Sequence, residues 1–150
     1  MRTVALIVTV YLVYRLVKKG YDMTIDQADY MARTIYGEAR GEGARGMQAV
    51  GNVIMNRIKQ GGWFGASIKD VVLKPKQFSC WNENDPNRTV ILSANAAQLA
   101  TARNIAERVM SGELSDITGG ATHYHAKSIT PYWAKTLTKT ATIGNHIFYK

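Results

Sequence analysis

The sequence predicts one mainly helical α+β domain over residues 21–150, ending in a small β-hairpin sheet and preceded by an apolar N-terminal segment, 1–20. Three observations carry this reading. Apolar residues recur at helical spacing through most of the chain. After Gly120 the pattern changes to alternation, the period of a strand. Gly144-Asn145 then separates two short β-prone runs, as a two-residue hairpin turn does. At 150 residues the chain can bury roughly two-thirds of the surface that its unfolded state exposes, so no metal or disulfide staple is needed. Cys80 is the only cysteine, which excludes an intrachain disulfide; it reads as a small buried hydrophobe.

Thr3–Val17 is nearly apolar all round and lies between Arg2 and Lys18-Lys19-Gly20. It falls short of the ~20 residues of a comfortable membrane span but has the length of an export signal's apolar region. With no Ala-x-Ala site before Tyr21, an uncleaved signal-anchor is expected. The competing reading is a segment packed on the domain, and the two lysines oppose export under the positive-inside rule.

Thr24-Ile25-Asp26-Gln27 has the form of a capping box. Ile25, Ala28, Met31, Ala32, Ile35 and Ala39 then follow at helical spacing, predicting a first helix from about Ile25 to about Arg40. Met47, Val50, Gly51, Ile54 and Ile58 form the stripe of a second helix, ended by Gly61-Gly62. Gly51 on that stripe predicts close helix–helix contact. Ser67 caps a short helix, Ile68–Leu73, stopped by Lys74-Pro75. Gln77–Trp81 and the polar stretch Asn82–Thr89 read as an ordered loop. A long Ala-rich helix is expected from about Ser93 to Met110, with Gly112 beyond it. Ala121–Ala126 reads as a strand, and Thr138–Ile143 with His146–Tyr149 as the hairpin.

The chemistry centres on Thr34–Gly46, which holds Glu38 and Glu42 one helical turn apart among Gly37, Gly41, Gly43 and Gly46. So many glycines are costly inside a helix; they suit a helix end or the close approach of a bulky ligand. Glu38 near a helix C-terminus, where a carboxylate anion is disfavoured, is the candidate general acid. A surface ion pair with Arg40 or Arg45 is the plainer fate of such a residue. Glu42 lies beside Glu38 rather than opposite it, so it is expected to be structural, paired with Arg45 or Arg57.

The formal net charge of +8 and the pI of about 9.7 favour polyanions, among them nucleic acid, anionic lipid and bacterial cell wall. Lysines and arginines are spread rather than clustered with aromatics, and no nucleic-acid motif is present, so no nucleic-acid partner is expected. There is no phosphate-cradling loop and no Gly-x-Ser-x-Gly nucleophile. His123-x-His125 with His146 has the donor count of a zinc site. No acidic residue lies near them in sequence, however, and the expectation is no metal and no cofactor.

Five ordered blocks carry a resemblance. They are Ala32–Glu42 (Ala-Arg-Thr-Ile-Tyr-Gly-Glu-Ala-Arg-Gly-Glu), Gln48–Arg57, Gln77-Phe78-Ser79, Gly120–Tyr124 and Ile143–Tyr149. In this order they resemble the SleB/CwlJ cell wall hydrolase family, which contains spore-cortex-lytic enzymes and phage lysins. The resemblance covers residue 28 to the C-terminus. It implies a lysozyme- or lytic-transglycosylase-like domain that cleaves peptidoglycan between N-acetylmuramic acid and N-acetylglucosamine. Glu38 matches the family's catalytic acid. Gly37 stands where the family often has Ala.

A lytic transglycosylase needs one carboxylate, whereas a two-carboxylate glycosidase needs a second on the other side of the bond. Transglycosylation is therefore the favoured expectation, with peptidoglycan as partner and a monomer as the working state. Tyr36, Gln77, Ser79, Trp81, His123, Tyr124 and Trp133 are the candidate substrate-binding residues. With an apolar N-terminus in place of a wall-binding module, a phage or prophage endolysin is expected. It would act at the inner membrane or periplasm through a signal-anchor, or wait in the host cytoplasm before lysis. Hydrolytic muramidase, zinc-dependent N-acetylmuramoyl-L-alanine amidase, and a non-catalytic wall- or nucleic-acid-binding module are the alternatives.

Overall fold

A computed structural model describes residues 27–150. The apolar segment 1–20 and most of the capping box at 24–27 lie outside the described residues. Helix α1 is described over 27–39; its Ala28, Met31, Ala32, Ile35 and Ala39 are buried, the stripe that the spacing predicts. Helix α2, Gly43–Gln60, starts earlier than its apolar stripe and runs through the centre of the molecule. It buries Met47, Val50, Val53 and Ile54 completely or nearly so. Gly51 faces α1 and α5 (Ala96–Met110): a Cβ there would come within 3.3 Å of Ile35 and 3.4 Å of Val109. The glycine is what lets three helices approach this closely. Gly61, at φ 65, ends α2.

Helix α3, Ile68–Leu73, is capped by the Ser67 side chain, which accepts from the Asp70 N–H. The expected loop through Thr89 ends sooner. Asp85 accepts from the Asn87 N–H, Pro86 takes the first helical position, and α4 runs Pro86–Ser93. The expected single helix Ser93–Met110 is likewise two. Asn95 and Gln98 form a reciprocal capping box that starts α5 afresh at Ala96. The Asn95-x-x-Gln98 capping pattern overrides the alanine-rich composition that favours a single helix.

Strands β1 (His123–Ala126), β2 (Lys139–Ile143) and β3 (His146–Tyr149) form an antiparallel sheet in the order β1-β3-β2, with Gly144-Asn145 at the hairpin turn. Its inner face seals onto α2 through Phe148, Ile143 and Ala121 against Ala49 and Val53. The helical core and this smaller cluster thus share α2 as their common wall. The predicted fold class, mainly helical with a small C-terminal sheet, is the observed one.

Candidate active site

Glu38 sits in the last turn of α1, where two segments distant in sequence converge on its carboxylate. Oε1 accepts the Cys80 backbone N–H at 3.1 Å and lies 3.5 Å from the Ser79 hydroxyl. Oε2 accepts the Tyr124 phenol at 2.8 Å. Ser79–Trp81 is a single 3₁₀ turn that stands directly against α1 because residue 37 is glycine. A Cβ at Gly37 would fall 2.7 Å from the Cys80 Cβ and 2.8 Å from Ile91. Glycine at position 37 is therefore what lets Cys80 pack here. The carboxylate pairs with neither Arg40 nor Arg45. Arg40 instead reaches Asn87 and lies over the Tyr36 ring.

Arg57 joins the two segments that grip Glu38. Its guanidinium lies 4.8 Å from the Phe78 ring centroid and 5.3 Å from that of Phe64. Its Nε donates to the Thr122 carbonyl at 2.7 Å. Phe78 precedes the Ser79–Trp81 turn, and Thr122 precedes β1. Arg57 is buried and its Nη1 has no hydrogen-bond partner among the described residues. Burial lowers its pKa, opposed by the nearby Tyr124 and Glu38, yet a guanidinium keeps its charge at any ordinary pH. Burial, and after it the Glu38 carboxylate, push the Tyr124 phenol well above its usual range, so it remains a donor. The same two causes push the Cys80 thiol up, leaving it an inert packing group.

Glu38, Ser79 and Tyr124 are thus brought together. Gln77 is half-buried at the entry to the turn, its N–H bound to the Lys74 carbonyl. Tyr36 is half-buried against the helical core. Trp81 packs along α1 one turn before Glu38: its indole N–H donates to the Thr34 hydroxyl at 2.9 Å, and its ring lies beside Tyr30. Alternation along β1 places Tyr124 on the inner face with His146 and Phe148. His123 and His125 lie on the outer face, around Trp133 at centroid distances of 5.2 and 5.7 Å. The three histidines are therefore divided between two faces of the sheet. Among the described residues no group of three His, Cys, Asp or Glu side chains could hold a metal ion. Burial, with a smaller effect from Arg57, holds the His123 pKa below its usual 6.5.

Glu42 does not pair with Arg45 or Arg57, contrary to expectation. Its Oε2 accepts the Asn145 N–H at 2.8 Å and touches the space a Cβ would need at Gly144. It ties the hairpin turn to the helical lobe. The role of Arg57 had no sequence signal beyond lying inside a recognised block, and the Cys80 N–H, one residue past the Gln77-Phe78-Ser79 block, had none.

Residues 41–149 match the family model described as Cell Wall Hydrolase. The chain belongs to this family. The matched region begins just after Glu38 and holds the segments that grip it. Among curated family relatives, the spore cortex-lytic enzyme of Bacillus cereus is 30% identical over 135 residues, covering 89% of this chain and 47% of the relative. That of Oceanobacillus iheyensis is 31% identical over 142 residues, covering 89% and 44%. The chain spans about half the length of the curated relatives it matches. Among solved structures, the catalytic domain of the Bacillus cereus SleB protein superposes with a TM-score of 0.68 at 29% identity, over 83% of this chain and 89% of that one. The catalytic domain of the germination-specific lytic transglycosylase SleB from Bacillus anthracis gives 0.68 at 30% identity, over 83% and 93%. The fold is thus that of the SleB catalytic domain, lysozyme-like in class.

Proposed function

We propose that this chain is a peptidoglycan lytic transglycosylase that cleaves between N-acetylmuramic acid and N-acetylglucosamine, with Glu38 as its acid. The observation that carries the reading is the disposition of the two carboxylates. Glu38 is gripped by donors from two segments distant in sequence, while Glu42 is committed to the hairpin turn. One carboxylate suffices for transglycosylation. Glu38 gives its proton to the glycosidic oxygen as the bond to muramic acid C1 breaks. The Cys80 N–H and Tyr124 phenol then stabilise the carboxylate left behind. That carboxylate takes the proton of the muramic acid C6 hydroxyl as its oxygen bonds to C1. A 1,6-anhydro ring closes, no water enters, and Glu38 is protonated again. Ser79, 3.5 Å from the carboxylate, would hydrogen-bond the sugar in this reading.

Mass spectrometry of peptidoglycan digested by the full chain, beside a Glu38→Gln control, tests this. Anhydro-muropeptides from the wild type alone are expected. Reducing muramic ends would replace transglycosylation by muramidase hydrolysis. Intact glycan with cleaved peptide stems would mean an amidase, and wholly intact wall a binding module.

The finer biological reading is a phage or prophage endolysin working as a monomer, held at the inner membrane by Thr3–Val17 or kept in the host cytoplasm until lysis. It is supported by that apolar segment ahead of a basic domain suited to an anionic wall. Fractionation of expressing bacteria tests the membrane association.

A further inference from the structure

Trp81, the last residue of the turn that grips Glu38, helps line an open groove of ≈ 1150 Å³ between α1, the 74–76 turn and α4. Its floor is apolar and aromatic, from Trp81, Tyr30 and Leu92. Its charges are of both signs, and several are already engaged. Asp29 is paired with Arg33, the Asp85 side chain caps α4, and Lys74 lies over Trp63. Three are not. Lys76, Arg88 and Glu83 line the groove with no oppositely charged partner within salt-bridge distance among the described residues. The Arg88 Nε is moreover buried without any hydrogen-bond partner. Lys76 holds a left-handed backbone at φ 64, which is uncommon for a residue other than glycine.

A groove with two free cations, one free carboxylate and an aromatic floor suits a short peptide that bears both carboxylates and an amine. A polyanion is a poor fit, because it would meet the groove's carboxylates. We propose that this groove binds the peptide stem of the glycan strand whose bond Glu38 attacks. This rests on the reading of the chain as a glycan-cleaving enzyme. The stem hangs from muramic acid, one partner in the bond to be broken. One short turn would then read both: Ser79 and Cys80 at the carboxylate, Trp81 at the stem. Lys76 and Arg88 take the stem's carboxylates, Glu83 its amine, and Trp81 the aliphatic side chains between them.

The test is titration of the full chain with free stem peptides, released from purified peptidoglycan by an amidase, followed by Trp fluorescence and by calorimetry. Saturable binding is expected, weakened at least tenfold in Lys76→Glu/Arg88→Glu. The single variant Lys76→Glu, on an exposed turn outside the core, is expected to weaken it at least threefold with an unchanged circular dichroism spectrum. No binding by the wild type overturns the inference, and so does unchanged affinity in both variants. Glycan cleavage is measured separately on wall with and without stems. An active wild type that does not bind stems overturns this inference alone. An inactive wild type that binds them overturns the glycan-cleavage reading and leaves a stem-binding groove established.

Discussion

The Tyr124 phenol donates a 2.8 Å hydrogen bond to Oε2 of Glu38 across 86 positions of sequence. The bond spans the two lobes, from the edge strand of the sheet to the last turn of α1. It fixes one carboxylate oxygen, while the Cys80 N–H holds the other. In Tyr124→Phe the ring still packs on Phe148 and His146, but the donor is gone. Cleavage is expected to fall roughly tenfold, the equivalent of one hydrogen bond of ~1.4 kcal/mol, with little change in thermal midpoint. Glu38→Gln is expected to cost roughly 10²–10⁴-fold, the usual range for loss of a general acid. Rates on purified wall, beside melting curves, check both.

The contact between Glu42 and the hairpin turn makes a stability prediction instead. Glu42→Ala removes one exposed charge-assisted hydrogen bond, so a loss of about 1 kcal/mol is expected. Gly144→Ala strains a backbone at φ 55 and drives a Cβ to 2.5 Å from the Glu42 carboxylate, for about 1–2 kcal/mol. The double variant relieves that clash. Its cost should be less than the sum of the two, which denaturant titration of all four proteins will measure.

Gly37→Ala tests whether the close packing of the Ser79–Trp81 turn on α1 sets the site. The added methyl meets the Cβ and Sγ of Cys80 and the Ile91 side chain, all within 2.9 Å. Overpacking of this kind costs about 1–3 kcal/mol. The turn must retreat, and its retreat draws the Cys80 N–H from Glu38. Activity is therefore expected to fall along with stability, unlike in Glu42→Ala, where activity per folded molecule should hold. Comparing the two variants in a single assay separates a site effect from a general loss of stability.

His123 gives a pH dependence of defined sign. Its pKa in the folded chain lies below 6.5, because burial and Arg57 disfavour the imidazolium. As pH falls through 6.5 the unfolded chain takes up the proton first. Its contribution to stability is present above about pH 6.5 and is lost as pH falls through the folded value. His123→Phe, which keeps an aromatic ring beside Phe64 and Trp133, should flatten that acid-side decline. Denaturation midpoints taken from about pH 7.5 down to about pH 5 check it; an unchanged slope would overturn it.

The local pattern of the chain determined the elements and the residue to watch. Helical spacing marked α1 and α2, Ser67 marked the start of α3, Gly144-Asn145 marked the hairpin, and Gly51 marked the closest helix packing. These are features of neighbouring residues, and periodicity and capping act over a few positions. Where local signals compete, the period alone misleads: alanine-rich composition overlies the Asn95 cap, and a polar stretch contains the helix that starts at Pro86. Glu38 stood out because its carboxylate lies in a glycine-rich helix end that resembles a known block. Its surroundings did not stand out, because they are built by contacts across 42 and 86 positions, to Cys80 and Tyr124. The destination of Glu42 lies 103 positions away, at a backbone N–H that no side-chain pattern announces. The division of the histidines between two sheet faces, and the turn of Trp81 toward Thr34, were likewise settled by which surfaces packed together. Local sequence sets the period and ends of each element; only the packing of those elements decides which polar groups meet.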